Sequence, residues 1–376
     1  MRIGIDGTAL LGQRSGVGHY TGRLFSQLVQ QRPEWDYLLF SNRPLNGLES
    51  TLTRAQAVIH PFGLSRWLWM QCLLPRIIDQ HQPDLCHFPN NTAPLVYNRP
   101  YVITIHDASL FLHSHHHPRS RLIALRLLMP RVARQAAAVI TVSHHARREL
   151  IQVLNLAPEK VHVIYEAAPA NFRPLLDPLQ RRYLQSKYNL PDQFILFVGT
   201  IEPRKNLKRL VQAVAKLHQQ GCRTRLVMIG PNGWLVNGSL NKEIEKLGLE
   251  KDVQYLGYVP QADLPGIYSL ATVFAFPSLY EGFGLPPLEA MACGVPVLTS
   301  HHSAMAEVCG EAAWLVDPQE VDDIADGLAC LLQDSQQQAV RRERGLAQAC
   351  AYSWERTAHE TAVLYERILA RELVHG

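Results

Sequence analysis

The chain has 376 residues, 47% of them hydrophobic and 19% charged, with a formal net charge of +4. This length exceeds one ordinary domain and implies two domains of roughly 150–200 residues each. The mild basicity suits an anionic small substrate or an anionic membrane face and does not call for a nucleic-acid partner.

Strands and helices are expected to alternate along the chain. Arg2–Ile5 reads as a strand rather than as part of a signal peptide. It is followed by a predicted helix at Gly18–Gln31 and predicted strands at Tyr37–Phe40, Ala57–His60, Leu85–Phe88 and Tyr101–His106. Helix Arg119–Gln135, strand Ala138–Val142 and helix Ala146–Leu154 complete the first block. Tyr165–Asp192 carries prolines and lacks periodicity, so the domain boundary is expected there, with a short helix at Pro178–Tyr188. The second block is predicted as strand Phe194–Val198, helix Leu207–Gln219, strands Arg225–Ile229, Val253–Leu256 and Val273–Phe276, helix Pro287–Cys293, strands Val295–Thr299 and Ala313–Val316, and helix Val321–Gln333. Most of these strands are continuously apolar, as parallel strands covered on both faces are. Two such blocks predict an α/β protein of two doubly wound, Rossmann-like domains, with ligand between them at the C-terminal ends of the strands. Seven scattered cysteines without a C-x-x-C pair read as reduced thiols of a cytosolic protein. No apolar run reaches the roughly 18 residues of a membrane span.

Four segments are candidates for chemistry. Ser15-Gly-Val-Gly-His-Tyr-Thr-Gly22 follows the first strand and opens a helix. Gly16 and Gly18 would let backbone approach a ligand, or would serve only as a tight turn; the spacing fits neither G-x-G-x-x-G nor a P-loop. Thr104-Ile-His-Asp-Ala108 ends an apolar strand, where His106 could bind a hydroxyl or shuttle a proton, or simply pack beside a capping Asp107. Gly199-Thr-Ile-Glu-Pro-Arg-Lys-Asn-Leu207 places Arg204 and Lys205 in a strand-to-helix loop, where they suit a diphosphate. Glu281-Gly-Phe-Gly-Leu-Pro-Pro-Leu-Glu289 sets two carboxylates on either side of a helix-opening turn. With the helix starting near Pro286 or Pro287, Glu289 would lie in its first turn. The pair suits a phosphate flanked by hydroxyl groups, although two glutamates could also be an acid and a base of a hydrolase.

Other features read more plainly. His113, His115, His116 and His117 read as loop rather than a metal site. Ser65–Arg76 reads as buried helix in preference to a membrane contact. Trp354 is expected to pack at a helix start capped by Ser353.

Together these segments resemble the E-x7-E signature and associated motifs of retaining, nucleotide-sugar-dependent glycosyltransferases of family 4. The resemblance covers nearly the whole chain and implies the GT-B architecture, two Rossmann-like domains facing across a cleft. It implies an acceptor domain at 1–175, a donor domain at 176–352 and a C-terminal helix, 353–376, that crosses back to the first. By the same resemblance, Glu281 would contact the donor sugar, and the amides of Phe283, Gly284 and Leu285, beside Gly282, would meet sugar and diphosphate. Glu289 would hold the ribose, and Arg204 and Lys205 the diphosphate. Gly16 and Gly18 would lie near phosphates or acceptor, His106 near O6 of the transferred sugar, and Tyr258 near the base. Thr200 stands where many relatives carry Arg, which shifts weight onto Arg204 and Lys205. It also places the chain nearer a mannosyl- or rhamnosyltransferase subgroup of polysaccharide assembly.

The resemblance therefore implies transfer of a hexose, first of all mannose from GDP-mannose, to a glycan or lipid-linked acceptor. The nucleotide-sugar is a substrate; no cofactor and no metal is expected. The enzyme is expected in the cytoplasm, with a peripheral contact at the inner membrane face left open. The competing readings are a nucleotide-sugar epimerase or phosphorylase on the same fold, and a non-catalytic partner that binds a glycan or an enzyme.

Overall fold

The fold is taken from a computed structural model that describes residues 1–12, 16–45, 52–61, 65–112, 119–231, 233 and 238–375, without the side chains of 53, 119–125 and 372–375. Ser15 and the histidines at 113 and 115–117 lie outside the described residues.

The chain divides into two compact units, one built from residues 1–112, 119–166 and 353–375, the other from 167–352. The first unit holds seven strands: β1 (Arg2–Asp6), β2 (Asp36–Ser41), β3 (Gln56–Ile59), β4 (Leu85–Phe88), β5 (Tyr101–Thr104), β6 (Ala138–Thr141) and β7 (Val161–Val163). They pair in the order β3-β2-β1-β4-β5-β6-β7. All pairs are parallel, with Ile3 opposite Tyr37 on one side and Leu85 on the other. The second unit holds β8 (Phe194–Val198), β9 (Arg225–Ile229), β10 (Val253–Gly257), β11 (Val273–Phe276), β12 (Val297–Ser300) and β13 (Trp314–Val316). Their order is β10-β9-β8-β11-β12-β13, again all parallel.

Both strand orders reverse direction once, between β1 and β4 and between β8 and β11. In an open parallel sheet, the loops leaving the two strands at such a reversal diverge and leave a crevice at the carboxyl ends. The loops after β8 and β11 are the Gly199–Lys205 and Pro277–Gly284 segments, so the topology brings the third and fourth sequence motifs together.

Local pattern explains the helices. Leu207–Gln219 buries Leu207, Leu210, Val211, Val214 and Leu217, the spacing of one apolar helical stripe. In the first unit Gly16–Gln31 buries Tyr20, Leu24, Phe25 and Leu28 and packs against the C-terminal helix Trp354–His375. That helix is tied in by Thr357, which donates to the Tyr165 carbonyl at 2.7 Å, and by Gln31, which donates to the Glu355 carbonyl at 2.8 Å.

Several expected boundaries move. The expected strand to His106 ends at Thr104, because the Asn91 side chain takes the His106 amide at 3.1 Å. The helix expected from Pro287 begins at Leu285, since two prolines cost nothing in a first turn whose amides have no intrahelical acceptor. Glu289 is consequently in the second turn, not the first. All seven cysteines are unpaired. Among the described residues no helix is long and apolar enough to cross a membrane.

Candidate active site

The site of the second unit is built from the loops after β8 and β11. Lys205 Nζ lies 2.5 Å from Glu281 Oε1, and Arg204 donates to Glu281 Oε2 at 3.0 Å. Arg204 also donates to the Tyr280 carbonyl at 2.7 Å and to Glu202 Oε1 at 2.8 Å. Ser278 donates to Glu281 Oε1 at 2.6 Å, and the Glu281 amide donates to Ser303 Oγ at 3.1 Å. Asn206, in a left-handed conformation, ties its loop to the segments after β11 and β13 by donating to the carbonyls of Pro277 and Pro318. Two cations thus face two carboxylates, and the charges balance locally.

Burial makes this arrangement tight. Lys205 is 7% exposed and Glu281 8%, and the Lys205 ammonium stands 4.9 Å from the centre of the Phe276 ring. Burial by itself would raise the Glu281 pKa; Arg204, Lys205 and the bond from Ser278 outweigh it and hold the carboxyl at about 2. Burial, and then Arg204, lower the Lys205 pKa against the opposing pull of the two glutamates. The structure therefore brings Arg204, Lys205 and Glu281 together as one ionised cluster. Glu202, Ser278 and Ser303 complete it; no local pattern marked them, since each enters through a side-chain bond that only the folded loops create.

Beside this cluster, Gly284 caps the helix Leu285–Ala292 with φ of +116°, a conformation suited to glycine. A Cβ there would sit 2.2 Å from Met305 Cε. Phe283 is buried, with its ring edge-on to Tyr352 at 5.8 Å. Pro286 and Pro287 have no amide hydrogen, so the donors at this helix start are those of Phe283, Gly284 and Leu285. Gly282 is buried between Glu281 and this cap. Glu289 accepts from the buried Tyr268 hydroxyl at 3.1 Å. Thr200 is half-buried after β8, and Tyr258, following β10, is 66% exposed.

In the first unit the segments that follow β4, β5 and β7 carry a separate polar cluster. His106 Nδ1 lies 3.1 Å from Glu166 Oε1, and its Nε2 lies 3.1 Å from the Pro89 carbonyl. Both partners can accept a hydrogen bond, an arrangement that favours the doubly protonated ring. Burial opposes that charge, and the bond and charge of Glu166 with the Pro89 carbonyl outweigh it, raising the His106 pKa. Both ring nitrogens are thus engaged within the protein, by Glu166 on one side and Pro89 on the other. Tyr20 packs edge-on to it at 4.8 Å. Gly16 opens the neighbouring helix, where a Cβ would meet nothing within 4 Å, so packing does not require glycine there; Gly18 is buried in the same turn. Nearby, buried Asp6 and Thr8 hold Arg66 at 3.0 and 2.7 Å. No local pattern announces this trio, because Arg66 sits in a segment whose strongest signal is apolar.

One further group has metal-binding chemistry. His301, His302 and Asp317 offer donor atoms all within 4.8 Å of one another. It is not part of the Arg204–Lys205–Glu281 cluster.

Comparison with known proteins places this geometry. The model of "Glycosyl transferases group 1" matches residues 183–348, and that of "Glycosyltransferase Family 4" matches residues 14–171. The chain is 34% identical to the O-antigen chain mannosyltransferase B of Escherichia coli over 317 residues, 84% of this chain and 80% of that protein. It is 33% identical to the serotype-specific mannosyltransferase WbdA of Escherichia coli over 241 residues, but spans 29% of its length. Anabaena HepE, crystallised with UDP and glucose, superposes with a TM-score of 0.75 at 21% identity, covering 97% of this chain and 99% of that one. Sucrose-phosphate synthase of Thermosynechococcus elongatus superposes with a TM-score of 0.79 at 19% identity, over 99% and 100% of the two chains. With both halves matched and a relative this similar over most of its length, the chain belongs to the group 1 glycosyltransferases of family 4 and has their GT-B fold.

Proposed function

We propose that this glycosyltransferase moves mannose from GDP-mannose to a glycan or lipid-linked acceptor, with retention of configuration and without a metal. The observation that carries the reading is the rigid Arg204–Lys205 pair, set by Glu202 and Glu281 beside the helix start at Gly284. Positive charge held in a buried, prearranged position stabilises a leaving diphosphate without reorganisation at the moment of reaction. Lys205 and Arg204 face the diphosphate, and the amides of Phe283, Gly284 and Leu285 share its charge. Glu281 accepts three bonds in the structure; a carboxylate offers about four lone-pair positions, so one remains for a hydroxyl of the donor sugar. Glu289, oriented by Tyr268, takes the ribose hydroxyls. His106 is assigned to the O6 side of the sugar as a positive charge held by Glu166 and the Pro89 carbonyl. The departing phosphate oxygen accepts the proton of the acceptor hydroxyl, which accounts for retention. The relatives named as mannosyltransferases support mannose as the sugar, and GDP is the nucleotide proposed with it.

The test is slow nucleotide release from a panel of GDP-, UDP- and dTDP-sugars, with the product's anomeric configuration read by NMR. GDP-mannose is expected to be cleaved first, with the sugar initially released as the α anomer and no effect of EDTA. Release from UDP- or dTDP-sugars alone would overturn the donor, and an inverted product the mechanism. Lys205→Ala is expected to lower turnover by about 10²–10³-fold; near-normal turnover would remove Lys205 from the chemistry.

A further inference from the structure

At the edge of the first sheet opposite His106, the N-terminal ends of β6 and β7 border a cavity of about 570 Å³. Its charged lining is Arg134, Lys160, Arg367 and Arg371, with His162 and the single acid Glu159. A second groove shares His162 and Arg367 and continues along the C-terminal helix. Two of the cations have structural duties. Arg134 donates to the Leu154 carbonyl at 3.3 Å, and Lys160 donates to the Arg134 carbonyl. They thereby cap the ends of helices His144–Leu154 and Arg119–Gln135. Arg367 and Arg371 have no carboxylate partner among the described residues. Their uncompensated charge reaches His162, whose pKa is lowered by burial and then by Arg367, Arg147 and Arg371.

Four cationic side chains line one concave surface with one exposed carboxylate among them, which gives it a positive potential that attracts anions. We propose that this cavity binds a phosphate-bearing group. Arginine forks fit phosphate oxygens two at a time, and the volume accommodates a phosphate with a glycerol- or sugar-sized substituent. The site is distinct from the strand-end loops of the first unit, because it lies at the opposite ends of the same strands. A soluble phosphate ester and a glycerophospholipid headgroup present the same chemistry, and the experiment separates them.

The 376-residue chain and its R367E/R371E and R367Q/R371Q variants are compared at low salt in two assays. One is calorimetric titration with glycerol 3-phosphate; the other is flotation with phosphatidylglycerol vesicles against phosphatidylcholine vesicles. Circular dichroism checks folding. Wild type is expected to bind at least one phosphate probe, at least about tenfold more weakly after charge reversal, given the contribution of each cation near anionic phosphate. The glutamine pair should fall between. Binding of phosphatidylglycerol vesicles without glycerol 3-phosphate assigns the headgroup at a surface; binding of glycerol 3-phosphate without vesicle capture assigns a soluble ester. If wild type binds neither probe, or the folded variants bind as tightly as wild type, the proposal is overturned. Should R367E/R371E fail to fold, the glutamine pair decides on the same comparison.

Discussion

Glu281 stays ionised in a buried site only because Arg204, Lys205 and Ser278 surround it. Its folded pKa of about 2 lies below the ordinary 4.5, so its contribution is complete above pH 4.5. It fades as pH falls from 4.5 towards 2, where the unfolded chain takes up a proton that the folded chain refuses. A shift of this size corresponds to on the order of 3 kcal/mol. Glu281→Gln, which leaves two cations facing one carboxylate, is expected to cost about 3–5 kcal/mol at neutral pH. The check is denaturant unfolding of wild type and variant from pH 7 to pH 3. The gap between them should narrow as pH falls, and a gap independent of pH would show that Glu281 is not held by the cations. His106 behaves with the opposite sign. Its raised pKa means that its contribution is complete below 6.5 and is lost as pH rises through the folded value. An NMR titration of its ring should give a midpoint above 6.5 in wild type and a lower one in Glu166→Gln. A wild-type midpoint at or below 6.5 would refute the imidazolium. At this scale the sequence marked Arg204, Lys205 and Glu281 because adjacent charges in strand-to-helix loops are legible. It could not mark Glu202 as a partner or fix the charge on His106, because both depend on bonds to Arg204, Glu166 and Pro89 that only folding makes.

At the scale of elements, legibility tracks how strongly a segment differs from its surroundings. The strands Leu85–Phe88, Phe194–Val198, Arg225–Ile229 and Val273–Phe276 are found with the bounds their apolar runs predicted. β7 was not anticipated: it has three residues and its middle one is His162, so no apolar run announces it. The helices Ser239–Lys246 and Ser335–Cys350 were missed for a related reason, since their polar residues outnumber their buried ones. The turn at Gly284 is an element whose geometry makes a specific demand. Gly284→Ala places a Cβ against Met305 Cε and forces a side chain into φ of +116°. Backbone strain alone costs about 1–3 kcal/mol. The expected result is a lower melting temperature together with weakened donor binding, and only partial recovery in Gly284→Ala/Met305→Ala, because the second change removes the clash and not the strain. Full recovery would mean that the glycine is required only for space.

At the scale of the whole chain, the sequence predicted two doubly wound blocks, and the sheets β3-β2-β1-β4-β5-β6-β7 and β10-β9-β8-β11-β12-β13 are those blocks. What local pattern could not supply is how distant segments share one core, and His87 shows why. It sits in the middle of β4, fully buried, within 2.7 Å of the Thr104 hydroxyl on one side and 2.5 Å of the Tyr365 hydroxyl on the other. Thr104 in turn meets the Tyr20 hydroxyl at 3.1 Å. A helix at the end of the chain is thereby joined to the central sheet of the first unit through a buried polar chain, and nothing in the sequence around position 365 reveals it. Burial pushes the His87 pKa down to about 3, so the ring is neutral, with one nitrogen donating and the other accepting. Tyr365→Phe removes one partner without opening a large cavity and leaves a buried ring nitrogen unpaired, a loss of about 1–3 kcal/mol. His87→Phe/Tyr365→Phe removes both polar groups and should recover part of that loss, because no orphaned nitrogen remains. Because the folded pKa is lowered, the His87 contribution is complete above 6.5 and falls with pH towards 3. In Tyr365→Phe that acid loss should persist, since burial rather than the tyrosine causes it, while in the double variant it should vanish. Urea unfolding of the three proteins between pH 7 and pH 4 measures both effects, and equal acid sensitivity in all three would remove His87 as its source.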